Sequence, residues 1–129
     1  MSMLNRMGNA KNSYQGQYRK VLTVCSAGLL RSPTTAWLLS QPPFLYNTRC
    51  AGANREYALV PVDEVLIHWA DEIVFMEMEH FDSVNQRFEK LLANKKVVIL
   101  DVPDQYPYRD PELVEIIRKQ YVEMAKAPD

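Results

Sequence analysis

Four short apolar runs alternate along the chain with segments that carry helix-forming patterns. The apolar runs predict strands over residues 21–24, 44–51, 71–76 and 96–100. Helices are predicted over residues 34–40, 63–70, 79–92 and 111–126. Alternation of this kind favours right-handed βαβ units, which place parallel strands in one sheet with helices on both faces. The sequence therefore predicts an α/β fold, a single domain with a four-stranded parallel sheet in the order 2-1-3-4.

The length and composition fit one such domain. The chain has 129 residues, of which 47% are hydrophobic and 24% are charged, so one apolar core can form without disulfides or metals. Residues 1–17 are polar and predict a tail, and residues 18–129 predict the folded domain. The tail lacks the apolar core of a signal peptide, and no apolar run approaches the roughly 18–20 residues of a membrane span. We therefore expect a cytoplasmic protein without a membrane partner.

Charge and cysteine content argue against several other classes of site. The formal net charge is -1, so the sequence predicts no broad basic field for nucleic acid. The chain has two cysteines, Cys25 and Cys50, and neither is spaced with His68 or His80 as in a zinc site. We expect neither a metal nor a cofactor, and no sequence pattern predicts the oligomeric state.

A cysteine follows the first predicted strand, and an arginine and a helix start come shortly after it. Between Cys25 and Arg31 the chain places Ser26, Ala27, Gly28, Leu29 and Leu30. Ser32 followed by Pro33 predicts a helix start with Ser32 as the N-cap. Backbone N–H groups of such a loop and the positive end of the helix can bind an anion, and Arg31 can hold two phosphate oxygens at once. The sequence predicts a phosphate-binding loop over residues 26–31.

The same positive groups act on the sulfur of Cys25. They favour the thiolate, which is the nucleophilic form of cysteine, and Ser32 is placed to donate a hydrogen bond to it. The pattern predicts that Cys25 attacks a phosphate monoester, with Arg31 and Ser32 as its catalytic partners. The alternatives are a buried thiol that acts as a small hydrophobe, a surface arginine and a serine that only caps the helix.

Breaking a phosphate ester also requires a proton for the departing oxygen, which a carboxyl group can supply. Three aspartates lie in or beside the last predicted loop: Asp101, Asp104 and Asp110. Asp110 precedes a proline and fits an N-cap, and Asp101 at the end of a strand fits a structural carboxylate. Asp104 lies in the middle of the loop, where it can reach over the carboxyl edge of the sheet.

Four side chains are candidates for a substrate pocket. Tyr106 and Tyr108, in the same loop, can flank an aromatic leaving group, and Arg55 and Tyr57 can line the entrance. The alternatives are ordinary loop packing for the tyrosines and a solvated charge for Arg55. His80 is predicted in the first turn of a helix, without a role in catalysis.

These motifs, in this order, resemble those of the low-molecular-weight protein tyrosine phosphatases. The resemblance extends over residues 19–124. It comprises Val-Cys-x5-Arg-Ser-Pro at 24–33, Cys-Ala-Gly at 50–52, Ala-Asp-Glu-Ile-Val-Phe-Met at 70–76 and Val-Pro-Asp-Gln-Tyr at 102–106. The resemblance implies the same four-stranded fold, no metal, and a phosphocysteine intermediate on Cys25 with Asp104 as general acid and base. The substrate that it implies is a phosphorylated protein or a small phosphomonoester.

The chain departs from the family pattern at several positions. Ala27, Gly28 and Leu30 stand where the family typically has Gly, Asn and a second cysteine. The disulfide that the family can form within the loop is therefore impossible here. Gln105 replaces the proline that follows the aspartate in bacterial members, and Cys50 replaces a residue that is usually serine.

Three alternative functions remain open from the sequence. The first is a phosphate-binding or regulatory module with little turnover. The second is arsenate reduction, for which Cys50 would be the second thiol. The third is a phosphatase of the same fold that acts on phosphoserine.

Overall fold

The structure, a computed structural model, describes residues 18–26, 31–54, 56 and 58–126. Its strands are β1 (Lys20–Cys25), β2 (Asn47–Gly52), β3 (Glu72–Phe75) and β4 (Lys96–Ile99). Its helices are α1 (Arg31–Ser40), α2 (Glu64–Trp69), α3 (Met78–Leu92) and α4 (Pro111–Lys126). Strands and helices therefore alternate as the sequence predicts.

The four strands form one parallel sheet. Their order is β2-β1-β3-β4, which confirms the predicted fold. The register pairs Cys25 of β1 with Gly52 of β2, and Val24 of β1 with Phe75 of β3. Because all strands run the same way, their carboxyl ends meet at one edge of the sheet. After β1 the chain adds β2 on one side of that strand, and then crosses back to add β3 and β4 on the other side. In sheets with this change of direction, ligand sites lie beyond the carboxyl ends of the strands at the point of change.

Side chains alternate between the two faces of the sheet, and each face has its own apolar core. On one face, α1 and α4 cover a cluster that includes Val21, Cys25, Leu38, Val74, Leu113 and Ile117. On the other face, α2 and α3 cover a cluster that includes Leu22, Val24, Ala51, Ile67, Phe75 and Val84. Because both faces are covered, β1, β3 and β4 are almost entirely apolar after their first residue, whereas the edge strand β2 is half polar. The Cys25 side chain lies on the face that α1 and α4 cover.

Helix α4 shows how the helices pack on this sheet. Its buried side chains recur at every fourth position: Leu113, Ile117 and Tyr121. Glu112, Glu115 and Lys119 are exposed, so the helix has one narrow apolar stripe and a polar outer face. Among the described residues, no helix is both long and apolar enough to span a membrane.

The second strand begins later than the sequence predicts. Apolar residues from Phe44 onward predict a strand over 44–51, but β2 begins at Asn47. Phe44 lies in a turn, and Leu45 has a positive φ of 55°, which a strand does not allow. The Phe44 ring packs edge-on against Tyr121, with 5.6 Å between the ring centroids. The apolar side chain of Phe44 therefore packs against α4 and the core, and it is not part of the sheet.

Candidate active site

Cys25 closes β1 at the carboxyl edge of the sheet. The residue is buried, and its carbonyl accepts a hydrogen bond from the Ala53 backbone N–H at 2.8 Å. The Ser26 carbonyl likewise accepts one from the Asn54 N–H at 3.0 Å. These bonds continue the pairing of β1 and β2 and position the start of the loop. The predicted phosphate-binding residues that follow, Ala27, Gly28, Leu29 and Leu30, lie outside the described residues.

Ser32 contacts the Cys25 sulfur instead of capping a helix. Helix α1 begins at Arg31, so Ser32 lies inside its first turn and the predicted N-cap role is wrong. The Ser32 Oγ lies 3.2 Å from the Cys25 Sγ, and both side chains are buried. The Thr23 hydroxyl donates to the Ser32 carbonyl at 2.7 Å, which ties the start of the helix to β1. A hydroxyl in this position can donate a hydrogen bond to the sulfur when the sulfur carries negative charge.

Arg31 is a buried cation that is held from two sides. Its Nη1 donates to the Glu77 carboxylate at 2.7 Å and to the Val102 carbonyl at 2.9 Å, and only 3% of the side chain is exposed. Its Nε lies 3.6 Å from the Asp104 carboxylate. Such partners are needed because an unpaired charge in the interior is strongly destabilising. Together they hold the guanidinium in one orientation at the carboxyl edge of the sheet.

The structure brings one of the three candidate aspartates to this cation. Asp104 lies in the segment after β4, and its carboxylate, 61% exposed, faces Arg31. Asp101 is exposed, and its backbone N–H and carbonyl bond to a glutamine side chain of α4. The Asp110 carboxylate accepts a hydrogen bond from the Glu112 N–H at 2.9 Å, which confirms its predicted place at the start of α4. Asp104 is therefore the aspartate that the structure places beside Arg31.

Two further residues belong to this cluster, and no sequence motif identifies them. Glu77, the residue before α3, pairs with Arg31, and His80 lies in the first turn of α3 as predicted. The His80 Nε2 lies 3.2 Å from the Ser26 Oγ and 3.6 Å from the Glu77 carboxylate. The signal available in the sequence is their position directly after β3. The carboxyl end of β3 adjoins that of β1 in the sheet.

The surroundings of His80 determine its charge. Burial lowers the pKa of His80, and the nearby Arg31 charge lowers it further, while Glu77, Glu79 and Asp104 act in the opposite direction. The His80 Nδ1 is buried and has no hydrogen-bond partner among the described residues. The ring therefore meets the start of the loop as a neutral imidazole near pH 7.

Potential metal-ligating atoms also come together here. Side-chain atoms of Glu77, Glu79 and His80 lie within 4.8 Å of one another. The Glu77 carboxylate, however, already pairs with the Arg31 guanidinium at 2.7 Å, and that positive charge opposes a second cation. Glu77 is therefore engaged as the ion-pair partner of Arg31, and this pairing disfavours a metal ion at the three residues.

The predicted pocket residues are less well placed. Tyr106 is half-buried and packs against the core on the face that α1 and α4 cover. Tyr108 is 48% exposed on the same loop. Arg55 and Tyr57 lie outside the described residues. A role in a substrate pocket therefore stays a prediction for all four side chains.

Comparison with known proteins gives matches in structure and not in sequence. No protein-family profile matches the sequence, and no curated protein does so. Vibrio vulnificus Wzb in complex with benzylphosphonate superposes with a TM-score of 0.65 at 20% identity, covering 84% of this chain and 98% of that one. The YwlE arginine phosphatase from Geobacillus stearothermophilus gives a TM-score of 0.58 at 19% identity, covering 86% and 98%.

A third similar structure is that of a member of the family that the sequence motifs resemble. SP-PTP, a low molecular weight protein tyrosine phosphatase from Streptococcus pyogenes, gives a TM-score of 0.65 at 13% identity. The match covers 86% of this chain and 94% of that chain. The protein therefore has the fold of the low-molecular-weight tyrosine phosphatases, as its sequence motifs imply.

Proposed function

We propose that this protein is a cysteine-dependent phosphatase that hydrolyses phosphomonoesters, and aryl phosphates such as phosphotyrosine above all. The observation that carries the proposal is the convergence of four groups at the carboxyl edge of the sheet. The Ser32 hydroxyl lies 3.2 Å from the Cys25 sulfur, and the buried Arg31 guanidinium lies 3.6 Å from the Asp104 carboxylate. A thiol, a hydrogen-bond donor to sulfur, a fixed cation and an accessible carboxyl group suffice for phosphoryl transfer through a phosphocysteine.

In the first step, the Cys25 thiolate attacks the phosphorus atom. The S–P bond forms while the P–O bond to the leaving group breaks, and Asp104 gives its proton to the departing oxygen. The carboxyl group of Asp104 is 61% exposed, so a substrate at the mouth of the site can reach it. Arg31 binds phosphate oxygens with a guanidinium that Glu77 already orients through Nη1, so less conformational freedom is lost on binding.

In the second step, water attacks the phosphorus atom of the phosphocysteine. Asp104, now a carboxylate, takes the proton of the attacking water. The S–P bond breaks, its electron pair returns to the Cys25 sulfur, and inorganic phosphate leaves. The Ser32 hydroxyl donates to the sulfur as the charge returns to it. Protons and electrons balance without a metal or a redox partner.

The substrate class that we propose is phosphotyrosine, in a protein or as a small ester. Tyr106 and Tyr108 lie on the loop that carries Asp104, and aromatic side chains suit an aromatic leaving group. Similar structures include a tyrosine phosphatase and an arginine phosphatase, and one holds benzylphosphonate. Rates measured on phosphotyrosine, phosphoserine and phosphoarginine will rank these substrates. Tight phosphate binding without any hydrolysis would instead favour the regulatory module.

The role of Asp104 is tested with a matched pair of variants in the same loop. Asp104→Asn removes the proposed acid, and we expect kcat for an aryl phosphate to fall by about 10²–10³-fold. Asp101→Asn makes the same change of charge at an exposed position, and kcat should stay within about twofold of the wild type. Steady-state kinetics with a metal chelator present give both values. Equal losses in the two variants, or none in either, would contradict the proposed mechanism.

A further inference from the structure

A second buried thiol lies beside Cys25. Cys50, in β2, is buried, and neither cysteine is in a disulfide. The parallel register places Cys50 opposite Thr23, two residues before Cys25. Since side chains alternate along a strand, all three point to the same face of the sheet. The two cysteines are therefore diagonal neighbours on adjacent strands.

Ser32 is the common neighbour of the two sulfurs. Its Oγ lies 3.2 Å from the Cys25 Sγ, and its side chain also hydrogen-bonds with the Cys50 thiol. Two sulfurs that bond to the same oxygen lie within about 7 Å of each other. The chain contains no third cysteine, and Leu30 stands where the related loops carry their second one. Cys50 is thus the only thiol of the chain that can react with Cys25.

We propose that Cys50 is the resolving thiol of a reversible Cys25–Cys50 disulfide, which forms under oxidation and switches off the nucleophile. This inference rests on the proposed function in one respect, namely that Cys25 is the reactive thiol. The disulfide occupies the sulfur that would attack phosphorus, so the oxidised protein cannot form a phosphocysteine. It also protects Cys25 from the irreversible sulfinic and sulfonic states.

The oxidation proceeds in two balanced steps. The Cys25 thiolate attacks a hydroperoxide, the O–O bond breaks, and Cys25 becomes a sulfenic acid. The departing hydroxide or alkoxide takes a proton from solvent and leaves as water or an alcohol. Cys50 then attacks the sulfur of the sulfenic acid. The S–S bond forms, the S–O bond breaks, and the departing hydroxide takes the Cys50 proton to give a second water. A small dithiol reverses the process by thiol–disulfide exchange.

The environment of Cys50 sets the order in which the two thiols react. Burial raises the pKa of Cys50 to about 12, and the charge of Cys25 contributes to the rise. Cys50 therefore stays a protonated thiol and is a poor target for peroxide. Conversion of Cys25 to a neutral sulfenic acid removes the charge of Cys25, which eases the deprotonation of Cys50 at the moment when it must attack.

Closing the bridge requires a small local movement. Parallel strands lie about 4.8 Å apart and rise about 3.3 Å per residue, so Cα atoms offset by two residues are about 8 Å apart. A disulfide spans less than about 7 Å, so these two Cα atoms must approach by about 1 Å. Cys25 is the last residue of β1, directly before the loop. The approach is therefore needed at the carboxyl end of the strand pair. A bridge formed under such strain is readily reduced, which suits a switch rather than a structural disulfide.

The test begins with the wild-type full-length chain. It is treated with hydrogen peroxide, alkylated and digested with trypsin without reduction. Cleavage after Lys20, Arg31, Arg49 and Arg55 places the two cysteines in separate peptides, 21–31 and 50–55. We expect these peptides to be joined with the loss of two hydrogen atoms, and to separate on addition of dithiothreitol. The readout does not require hydrolysis of a phosphate, so it is independent of the proposed function.

A matched pair of variants assigns the roles of the two thiols. In Cys50→Ser, we expect Cys25 to gain two or three oxygen atoms under the same treatment. The activity regained with dithiothreitol, relative to the untreated variant, should be about tenfold lower than for the wild type. In Cys25→Ser, Cys50 should stay unoxidised because it has no sulfenic acid to attack.

Two results would overturn the proposal. One is a wild-type chain in which Cys25 reaches the sulfinic or sulfonic state while peptides 21–31 and 50–55 stay separate. The other is a Cys50→Ser variant that recovers as fully as the wild type. If that variant does not fold, the peptide map of the wild type decides alone. A cross-link in a protein that hydrolyses no phosphate ester would support the disulfide and count against the phosphatase.

Discussion

The two ends of the sheet each bury a charged side chain, and at the amino end its partners are an exposed arginine and a buried tyrosine. Glu72, at the start of β3, is 1% exposed. Its carboxylate accepts a hydrogen bond from Arg19 at 3.0 Å and from the Tyr121 hydroxyl at 2.8 Å. Burial and the adjacent Glu72 carboxylate raise the pKa of Tyr121, so the hydroxyl stays protonated and keeps donating. The Glu72 carboxylate is therefore held by Arg19, which precedes β1, and by Tyr121 of α4.

The carboxyl end differs in what surrounds its charge. Arg31 is as deeply buried as Glu72, and it has two carboxylate partners, Glu77 and Asp104, which are 34% and 61% exposed. The Cys25 and Ser32 side chains lie in the same cluster. Solvent can therefore reach partners of the buried charge at both ends. Comparison of the two ends shows that neither a buried charge nor an exposed partner alone marks a site; the carboxyl end differs in the thiol and the hydroxyl that lie beside its charge.

The largest difference between the two ends should appear when their arginines are exchanged for lysine. Arg31→Lys removes the planar fork that we propose for binding phosphate oxygens, and we expect kcat/KM for an aryl phosphate to fall by about 10²–10³-fold. Arg19→Lys makes the same change at the amino end, where kcat/KM should stay within about twofold of the wild type. Steady-state kinetics on both variants measure this contrast. Comparable losses would mean that Arg31, like Arg19, serves only the fold.

A change at the amino end of the sheet should lower stability and leave catalysis unchanged. Tyr121→Phe removes a hydroxyl that donates to the buried Glu72 carboxylate at 2.8 Å. We expect the free energy of unfolding to fall by about 1–3 kcal/mol, because the carboxylate loses a hydrogen bond in the interior. Urea denaturation measures the loss, and kcat in the folded protein should not change. A loss of kcat without a loss of stability would contradict the assignment of the amino end to stability alone.

The smallest expected effect concerns pH and His80. Burial and Arg31 lower the pKa of His80 in the folded chain, against Glu77, Glu79 and Asp104. The unfolded chain therefore binds more protons as the pH falls below about 6.5, and stability decreases there.

The His80→Gln variant isolates this contribution. It retains a polar group toward Ser26 but cannot titrate, so it should lose less stability than the wild type between pH 7 and pH 5. Urea denaturation at several pH values measures both slopes, and His68→Gln, on the surface of α2, is the matched control for losing a histidine. Identical slopes in the wild type and His80→Gln would contradict the assigned charge of His80.

The fold was predictable because local patterns determine it. Apolar runs with both faces buried, alternating with helix patterns, predict the parallel sheet and its strand order, which the structure confirms. The prediction erred where an apolar side chain served a different purpose. Phe44 packs on Tyr121 outside the sheet, a partner distant in the sequence that the local pattern does not reveal. Ser32 lies beside the Cys25 sulfur as the sequence indicates, but it does so from inside the first turn of α1 and not as the N-cap.

The candidate site was predictable only in part, because its members come from distant segments. Arg31 is adjacent in sequence to the residues of its loop, so a motif reveals it. Glu77 and His80 reach the same place only because β3 lies beside β1 in the sheet. Their contacts with Arg31 and Ser26 span 46 and 54 positions in the sequence. Charged and polar residues at a helix start are common, so nothing local distinguishes these two.

The central claim, that Cys25 is the nucleophile of a phosphatase, is tested most directly by trapping the phosphorylated chain. The protein is mixed with an aryl phosphate, quenched in denaturant within the first turnover and digested with trypsin. We predict phosphate on peptide 21–31, bound to the Cys25 sulfur, and none on a Cys25→Ala variant, which should also lose turnover. Phosphate bound elsewhere, or wild-type turnover by Cys25→Ala, would contradict the claim.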